Sequence, residues 1–285
     1  MKKFGILVAM LLTAALLFTG CAQESFDASS SIATVSREDG SGTRGAFVEL
    51  MGLEDEEGND LTDPNADIAG STSVMMTNVA GNPYAIGYIS LGSLDDTVKA
   101  ITVDGVEASV AEIEAGNYKV SRPFNIAVKQ DSLSEVAQDF VNYILSTEGQ
   151  AVIEEEGYIP LSETTAFEGS QPSGDVRVSG SSSVSPVMEK LIEAYKAVNP
   201  NANIQLQESD STTGMNDAIE DRSDIGMASR DLKDSELESG LTGITIATDG
   251  IAVIVNNENP VEGLTSEQIK QIFTGEVTTW ESFVS

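Results

Sequence analysis

Residues 36–44 read Ser-Arg-Glu-Asp-Gly-Ser-Gly-Thr-Arg, and the interpretation of the whole chain starts from them. The two glycines allow a tight turn, while the hydroxyl and guanidinium groups supply hydrogen-bond donors. Apolar residues follow at helical spacing (Ala46, Phe47 and Leu50), so the loop is expected to enter a helix N-terminus, which attracts anions. A solvated turn with a Ser or Thr N-cap explains the same residues, so this stretch by itself leaves both interpretations open.

Two further stretches repeat the same chemistry. Residues 180–185 (Gly-Ser-Ser-Ser-Val-Ser) follow a β-like run and precede Pro186, a favoured residue in the first turn of a helix. Residues 209–214 (Ser-Asp-Ser-Thr-Thr-Gly) also lie between a strand pattern and a helix pattern. All three stretches, at 39–43, 180–185 and 209–214, place small hydroxyl residues and glycine before a helix. Together they predict one site that holds an anion with neutral donors and releases it again.

The composition excludes several classes of function. The 285 residues contain 46 acidic and 15 basic side chains, for a net charge of −31, so a basic nucleic-acid-binding surface is not expected. An anion would have to be held by local donors, because the long-range field repels it. The chain has no histidine and a single cysteine, Cys21, which excludes histidine-dependent triads, histidine metal sites and a disulfide. No cofactor or metal is expected.

Residues 1–21 have the pattern of an export signal. Lys2 and Lys3 precede an apolar run, Phe4 to Phe18, that is too short to span a membrane comfortably. The run ends in Phe-Thr-Gly-Cys, which resembles the lipobox of bacterial lipoproteins, so Cys21 is expected to be lipidated and to hold the protein on the outer face of the cytoplasmic membrane. Residues 22–31 are then a polar tether. A secreted protein with an incidental cysteine is the alternative.

The remaining chain alternates apolar strand-like runs with amphipathic helix-like segments, which is typical of an α/β protein. Strands are predicted at 84–89, 122–128, 225–230, 244–247 and 251–255, and a long helical segment at 133–153. Residues 162–174 have the composition of a linker.

At this point several segments together resemble a known family, the phosphate-binding lipoproteins of bacterial phosphate ABC importers (the PstS family). The segments are SREDGSGTRGAF, YAIGYISLGSL, FVNYILSTEGQAVI, GSSSVSPVMEKL, QESDSTTGM, DIGMASRDL, ATDGIAVIVN and IFTGEVTTW, and they cover nearly all of the chain after Cys21. The resemblance implies a type II periplasmic-binding-protein fold: two α/β lobes, with mixed sheets flanked by helices, joined by crossing strands and closing over one inorganic phosphate. It also implies a monomer that delivers phosphate to the membrane subunits of an ABC permease.

The segment order differs from the usual order of that family, in which the GSSSVSP-like residues come first. The chain therefore resembles a circular permutant, in which residues 162–174 join the ancestral ends. One lobe is expected to consist of residues 30–94 and 256–285 and to carry the DGSGT loop. The other is expected to be contiguous over residues 95–255 and to carry the GSSSVSP and DSTTG loops. The new ends should then lie close together on one lobe. A truncated fusion of two half-copies is the alternative.

The resemblance also implies which residues contact phosphate. These are Arg37, Ser41, Gly42 and Thr43 in the first loop, Ser182 and Ser183 in the second, Ser211 in the third, and Ser229. Supporting roles fall on Asp39, Ser181, Thr212 and Arg230, with Asp39 forming an ion pair with Arg37. Arg44 and Arg230 are either charges near the site or members of surface ion pairs. Hydrogen phosphate needs a proton acceptor, and the sequence leaves Ser229 and Asp39 as candidates.

Other functions remain open on the sequence alone. The same fold could bind sulfate, molybdate or a small organic phosphate, and a secreted phosphoesterase would share phosphate-binding loops. The phosphoesterase is disfavoured because the chain lacks histidine and a carboxylate cluster for two metals. A surface protein with adhesive or signalling function is a further alternative, since a fold does not imply a function.

Overall fold

A computed structural model describes residues 26–284. The predicted export signal, the lipidation site Cys21 and the first part of the predicted tether lie outside the described residues. The strands are β1 (Ala33–Arg37), β2 (Asp67–Ala69), β3 (Ala85–Ser90), β4 (Val98–Ala100), β5 (Thr102–Val103), β6 (Ser121–Val128), β7 (Gly174–Ser181), β8 (Ala202–Ser209), β9 (Ile225–Ala228), β10 (Thr242–Asn256) and β11 (Gly263–Leu264). The helices are α1 (Gly42–Leu50), α2 (Thr72–Ala80), α3 (Val110–Glu114), α4 (Glu135–Ile144), α5 (Thr147–Glu155), α6 (Ser185–Val198), α7 (Ser211–Ile219), α8 (Asp234–Glu238) and α9 (Ser266–Phe273).

A mixed sheet runs through the molecule in the order β2-β1-β3-β10-β6-β9-β7-β8, and β4 also pairs with β10. β1 pairs in parallel with β2 and β3, and β7 pairs in parallel with β8 and β9. β10 is antiparallel to both β3 and β6. The two parallel groups are therefore joined through two long antiparallel strands, and helices follow the carboxyl ends of β1, β2, β7 and β8.

Two large hydrophobic cores divide the chain into two lobes. One core contains buried residues of 35–120 and 251–280, and we call these parts, with the flanking 26–34 and 281–284, the first lobe. The other contains buried residues of 124–247, the second lobe. The segments 121–123 and 248–250 contribute to neither core. The chain passes from one lobe to the other through them, and we call them the crossings. The lobes therefore divide at these crossings and not near residues 95 and 255 as expected, because Val98, Val103 and Val120 are buried in the first core.

β10 is one continuous strand of 15 residues, although the sequence predicted two strands separated at Asp249 and Gly250. An acidic residue followed by glycine usually indicates a turn. Here Asp249 lies directly opposite Arg122 on β6, and the two side chains form an ion pair of 3.0 Å. The buried charge is thus neutralised within the sheet, and the strand continues from the second lobe into the first.

The two ends of the described chain lie together on the first lobe. The Ile32 N–H donates to the Thr278 carbonyl (2.8 Å), and the Phe26 ring packs against Tyr84 and Trp280, with centroids at 5.0 and 6.3 Å. The predicted tether is therefore wrong from Phe26 onward, because an aromatic anchor attaches this segment to the core. Proximity of the ends is what a permuted order requires, while the permutation itself stays a prediction.

The predicted linker, residues 162–174, packs along the second lobe. The Phe167 ring meets Tyr143 edge to face at 5.2 Å, and the Ser170 N–H donates to Asp139 (3.2 Å). Of the helices in the described part of the chain, none has the length and apolar character needed to cross a membrane.

Candidate functional site

Four helix N-termini meet where the lobes face each other. α1 and α2 of the first lobe begin after Ser41 and Ser71, whose hydroxyls accept backbone N–H groups of their own first turns at 3.3 Å each. α6 follows the turn at 182–184, and α7 is capped by Asp210. Helix N-termini present unpaired N–H groups and the positive end of the helix dipole, so their meeting point is suited to an anion.

Side-chain hydroxyls from both lobes form a hydrogen-bonded cluster at this point. Thr43 of the first lobe lies 2.8 Å from Ser183 of the second, between hydroxyl oxygens, and Thr72 lies 3.1 Å from the same oxygen. The Ser181 hydroxyl donates to Ser229 at 3.0 Å. We call the following residues, each no more than 5% exposed, the hydroxyl cluster: Thr43, Thr72, Ser181, Ser182, Ser183, Ser211 and Ser229.

Arg37 brings a guanidinium to the cluster. It is the last residue of β1, is 1% exposed, and donates from Nη2 to the Ser182 hydroxyl (2.9 Å) and from Nη1 to Thr72 (3.4 Å). Its backbone N–H donates to the Tyr88 hydroxyl at 3.2 Å, and the Tyr88 ring stacks on Phe47 with centroids 3.9 Å apart. The core of the first lobe therefore fixes the backbone from which Arg37 extends.

The predicted ion pair between Asp39 and Arg37 is wrong. Glu38 accepts from Nε and Nη2 of Arg37 at 2.8 and 2.7 Å, a bidentate geometry. The turn closed by the Ser41 N–H on the Glu38 carbonyl (3.0 Å) leaves the Asp39 side chain 97% exposed, and Asp39 pairs with Arg44 instead at 2.6 Å. The Asp39 carboxylate therefore lies away from the hydroxyl cluster and is no longer a candidate for the proton acceptor.

Arg44 and Arg230 both lie outside the hydroxyl cluster. Arg44 pairs with Asp39 and Asp60 and donates to the Arg37 carbonyl at 3.0 Å, so it supports the end of β1. Arg230 is bidentate to Glu236 at 2.9 and 2.8 Å. Burial alone would raise the pKa of Glu236, but the Arg230 guanidinium and the Lys233 N–H hold that pKa below its usual value. Both arginines are ion-paired, but the expected surface pair does not describe Arg230, because its pair with Glu236 is largely buried, with side chains 12% and 6% exposed.

The first loop contacts the second lobe through its backbone. A Cβ atom added at Gly42 would lie 2.5 Å from the Ser211 oxygen and 2.8 Å from the Ser229 oxygen. The Thr212 N–H donates to the Gly40 carbonyl at 3.2 Å. The predicted residues Arg37, Ser41, Gly42, Thr43, Ser182, Ser183, Ser211 and Ser229 are thus all at the lobe junction, with Thr212 at its edge.

Thr72 is a site residue that the sequence reasoning missed. The stretch Ser71-Thr72-Ser73 places hydroxyl residues before a helix, the same pattern as in the three loops from which the sequence predicts the site. Its place follows from the parallel pairing of β1 with β2, which puts the ends of both strands, and the helices after them, side by side. Within residues 26–284, no group of three or more histidine, cysteine, aspartate or glutamate side chains is arranged to hold a metal ion.

Comparison with known proteins shows the family to which the chain belongs. A model described as the PBP superfamily domain matches residues 22–148 and 165–284. The phosphate-binding protein PstS 2 of Streptococcus agalactiae serotype V is 50% identical over 269 residues, 93% of this chain and 92% of the relative. The chain belongs to the PstS family of phosphate-binding proteins. Another PstS 2, from Streptococcus pneumoniae serotype 4, is 45% identical over 89% of this chain and 88% of the relative.

A solved structure in the PstS family shares the fold. The phosphate-binding protein of a phosphate ABC transporter from Streptococcus pneumoniae TIGR4 is 43% identical, with a TM-score of 0.70 over 89% of this chain and 100% of that chain. The two-lobed α/β fold expected for a PstS family member is therefore confirmed.

Proposed function

We propose that this protein captures inorganic phosphate outside the cytoplasm and delivers it to an ABC-type permease. The observation that carries the proposal is the buried cluster of hydroxyls from both lobes around Arg37, at the meeting point of four helix N-termini. Relatives that cover about nine-tenths of the chain are named phosphate-binding proteins. The protein acts as a binding protein and performs no reaction.

Closure of the lobes is the step that binds the ligand. A phosphate placed among the cluster loses its water, and backbone N–H groups, hydroxyls and one guanidinium replace that hydration. Arg37 supplies a charge-assisted bond, while Ser41, Gly42, Thr43, Ser182, Ser183, Ser211 and Ser229 supply the remaining hydroxyl and backbone contacts. Hydrogen bonds to a charged group contribute about 1.5–3 kcal/mol each, and the cost of ordering and desolvation keeps the capture reversible.

The geometry supports one phosphate contact that the sequence did not predict, and one of the two candidate proton acceptors. Thr72 joins the phosphate contacts, because its hydroxyl lies between Arg37 and Ser183. Ser229 is the proton acceptor for hydrogen phosphate, because a hydroxyl oxygen accepts as well as donates and Asp39 points to solvent. With its own hydrogen engaged by the Thr43 or Ser211 hydroxyl (3.4 Å each), the Ser229 oxygen accepts the proton of hydrogen phosphate and has no hydrogen left to donate to sulfate, which gives the site a means of discrimination.

Calorimetry of the purified protein against phosphate, sulfate, molybdate and arsenate tests the function. We expect phosphate to bind with micromolar or tighter affinity and sulfate to bind much more weakly. Equal affinity for sulfate would contradict the role of Ser229, and absence of phosphate binding would contradict the function itself. Hydrolysis of a generic phosphate monoester would support a phosphoesterase instead.

Replacing Thr72 by valine is expected to weaken phosphate binding about 10-fold, or about 1.4 kcal/mol. Valine keeps the shape of threonine and removes the hydroxyl that reaches Arg37 and the second lobe. The matched control is Thr77→Val, an exposed threonine of the same helix whose hydroxyl bonds to the Ser73 carbonyl. Calorimetry should find the control unchanged, and an equal loss in both variants would place the effect in α2 and not in the site.

A lipid at Cys21 is expected to hold the mature protein on the membrane. The protein is expected to be a monomer. Replacing Cys21 by serine should move the protein from the membrane fraction to the medium, while phosphate affinity stays the same because the site lies in residues 37–229. Cell fractionation followed by calorimetry measures both effects. A serine variant that remained in the membrane fraction would contradict the lipid anchor.

A further inference from the structure

The floor of the cleft holds a second contact between the lobes, separate from the hydroxyl cluster. The carboxyl ends of β1 and β3 in the first lobe face those of β7 and β9 in the second, with the crossings 121–123 and 248–250 between them. Beyond β3, a short 3₁₀ helix (Leu91–Ser93) belongs to the first lobe and lies above the crossings. The second-lobe residue that meets it is Tyr158.

Tyr158 is held firmly by the second lobe. Its ring packs on Phe124 with centroids 5.3 Å apart, and the next residue, Ile159, exchanges two backbone hydrogen bonds with Thr248 of the crossing, at 3.0 and 2.9 Å. The side chain is 2% exposed. The ring therefore moves with the second lobe and has little freedom to change its position.

Gly92 of the first lobe receives this ring. A Cβ atom added at Gly92 would lie 2.3 Å from Cζ, 2.5 Å from Cε1 and 2.7 Å from the hydroxyl oxygen of Tyr158. Contacts under 3.0 Å require something to move, so only glycine permits this approach. The backbone of Gly92 does not adopt a positive φ, so alanine is compatible with the local conformation.

Beneath this contact lies a pair of opposite charges on the crossing strands. Arg122 and Asp249 are 4% and 2% exposed, and Asp249 also accepts from the Ser90 hydroxyl (3.0 Å) and the Gly92 N–H (3.5 Å). The Tyr158 hydroxyl is buried without a hydrogen-bond partner among the described residues, and this burial, together with the nearby Asp249 charge, raises the pKa of the phenol. Tyr158 therefore lies beside the pair, since it meets Gly92, whose N–H donates to Asp249.

We propose that Tyr158 is a positioning residue for lobe closure, which sets the affinity for phosphate through its contact with Gly92 without touching the ligand. The proposal rests on the proposed capture of phosphate by closure. Opening the lobes separates the ring from Gly92 and exposes the crossings to water. Closing them restores the contact at the cleft floor while the hydroxyl cluster forms above it.

A double-mutant cycle tests the contact. Gly92→Ala is expected to weaken phosphate binding at least about 10-fold through faster dissociation, because the new methyl group collides with the ring only in the closed form. In a Tyr158→Leu background the same substitution should cost nothing, because the ring is gone. In a Tyr158→Phe background the loss should persist, because Cζ and Cε1 remain. Gly70→Ala, where an added Cβ meets nothing within 4 Å, is the control.

The outcomes separate this proposal from the function on which it rests. Wild-type protein that bound no phosphate would contradict the proposed function. Wild-type protein that bound phosphate while Gly92→Ala bound it equally well would contradict only the role of Tyr158. An equal loss from Gly92→Ala in the leucine background would also contradict it, because the effect would then arise within the first lobe. Melting temperatures without ligand should agree for Gly92→Ala and wild type, since the open form accommodates the methyl group.

Discussion

Replacing Arg37 by methionine is expected to abolish phosphate binding, with an affinity loss of at least about 100-fold, or about 2.8 kcal/mol. Methionine retains much of the apolar stem and removes the guanidinium that reaches Ser182 and Thr72. It also leaves the Glu38 carboxylate without its bidentate partner beside the site, so an incoming anion meets a negative charge. Calorimetry with phosphate measures the loss, and circular dichroism verifies that the variant is folded.

Arg230→Ala is the comparison for this result. Arg230 lies beside the first loop but directs its guanidinium to Glu236, away from the hydroxyl cluster, so its removal should weaken binding only partly. Equal loss in the Arg37 and Arg230 variants would show that Arg230 reaches the ligand. An Arg37→Met variant that bound phosphate normally would contradict the whole assignment of the site.

Replacing Gly42 by alanine is expected to reduce phosphate affinity at least about 100-fold while leaving the fold intact. The added methyl group would lie within 2.5–3.1 Å of Ser211, Ser229 and Arg230, all in the second lobe. These collisions exist only when the lobes are closed, so the variant relieves them by opening. Gly42 is the first residue of α1, where alanine is a better helix former than glycine, so the melting temperature without ligand should not fall.

Gly45→Ala provides a control within the same helix, because an added Cβ at Gly45 meets nothing within 4 Å. Small-angle scattering at saturating phosphate should find the Gly42 variant more extended than wild type and the Gly45 variant unchanged. Wild-type affinity in the Gly42 variant would mean that the lobes do not approach as closely in the bound state as they do in this structure.

Much of the site was accessible from the sequence because its chemistry is local. A loop rich in glycine and hydroxyl residues before a helix offers the same hydrogen-bond donors wherever it occurs, so the loops at 39–43, 180–185 and 209–214 could each be recognised separately as candidates, although each alone also fits a capped turn. The rule that the carboxyl ends of parallel strands meet at one edge of a sheet brings together the loops after β7 and β8. The loop after β1 belongs to the other parallel group, and its shared chemistry and the family resemblance placed it with them. The fourth loop, at Ser71–Ser73, carried the same signal, but its strand, β2, has only three residues and is weakly patterned.

Side-chain partners could not be read from the sequence, because they depend on how the backbone turns. Glu38 and Asp39 are adjacent carboxylates next to Arg37, and only the turn after β1 decides that Glu38 binds it and Asp39 faces solvent. Similarly, Asp249-Gly250 has the composition of a turn. It lies within a strand because Arg122, 127 residues away in the chain, neutralises the aspartate.

The sequence by itself determined the α/β class, the hydroxyl- and glycine-rich loops of the candidate site and the absence of histidine chemistry, because these depend on residue type and short-range periodicity. Only the tertiary structure decided where the lobes divide, which carboxylate supports Arg37, and that Tyr158 meets Gly92 across the cleft. The lobe division and the contact between Tyr158 and Gly92 depend on residues far apart in the chain, and the choice of Glu38 over Asp39 depends on the path of the backbone after β1. Short-range sequence patterns encode neither.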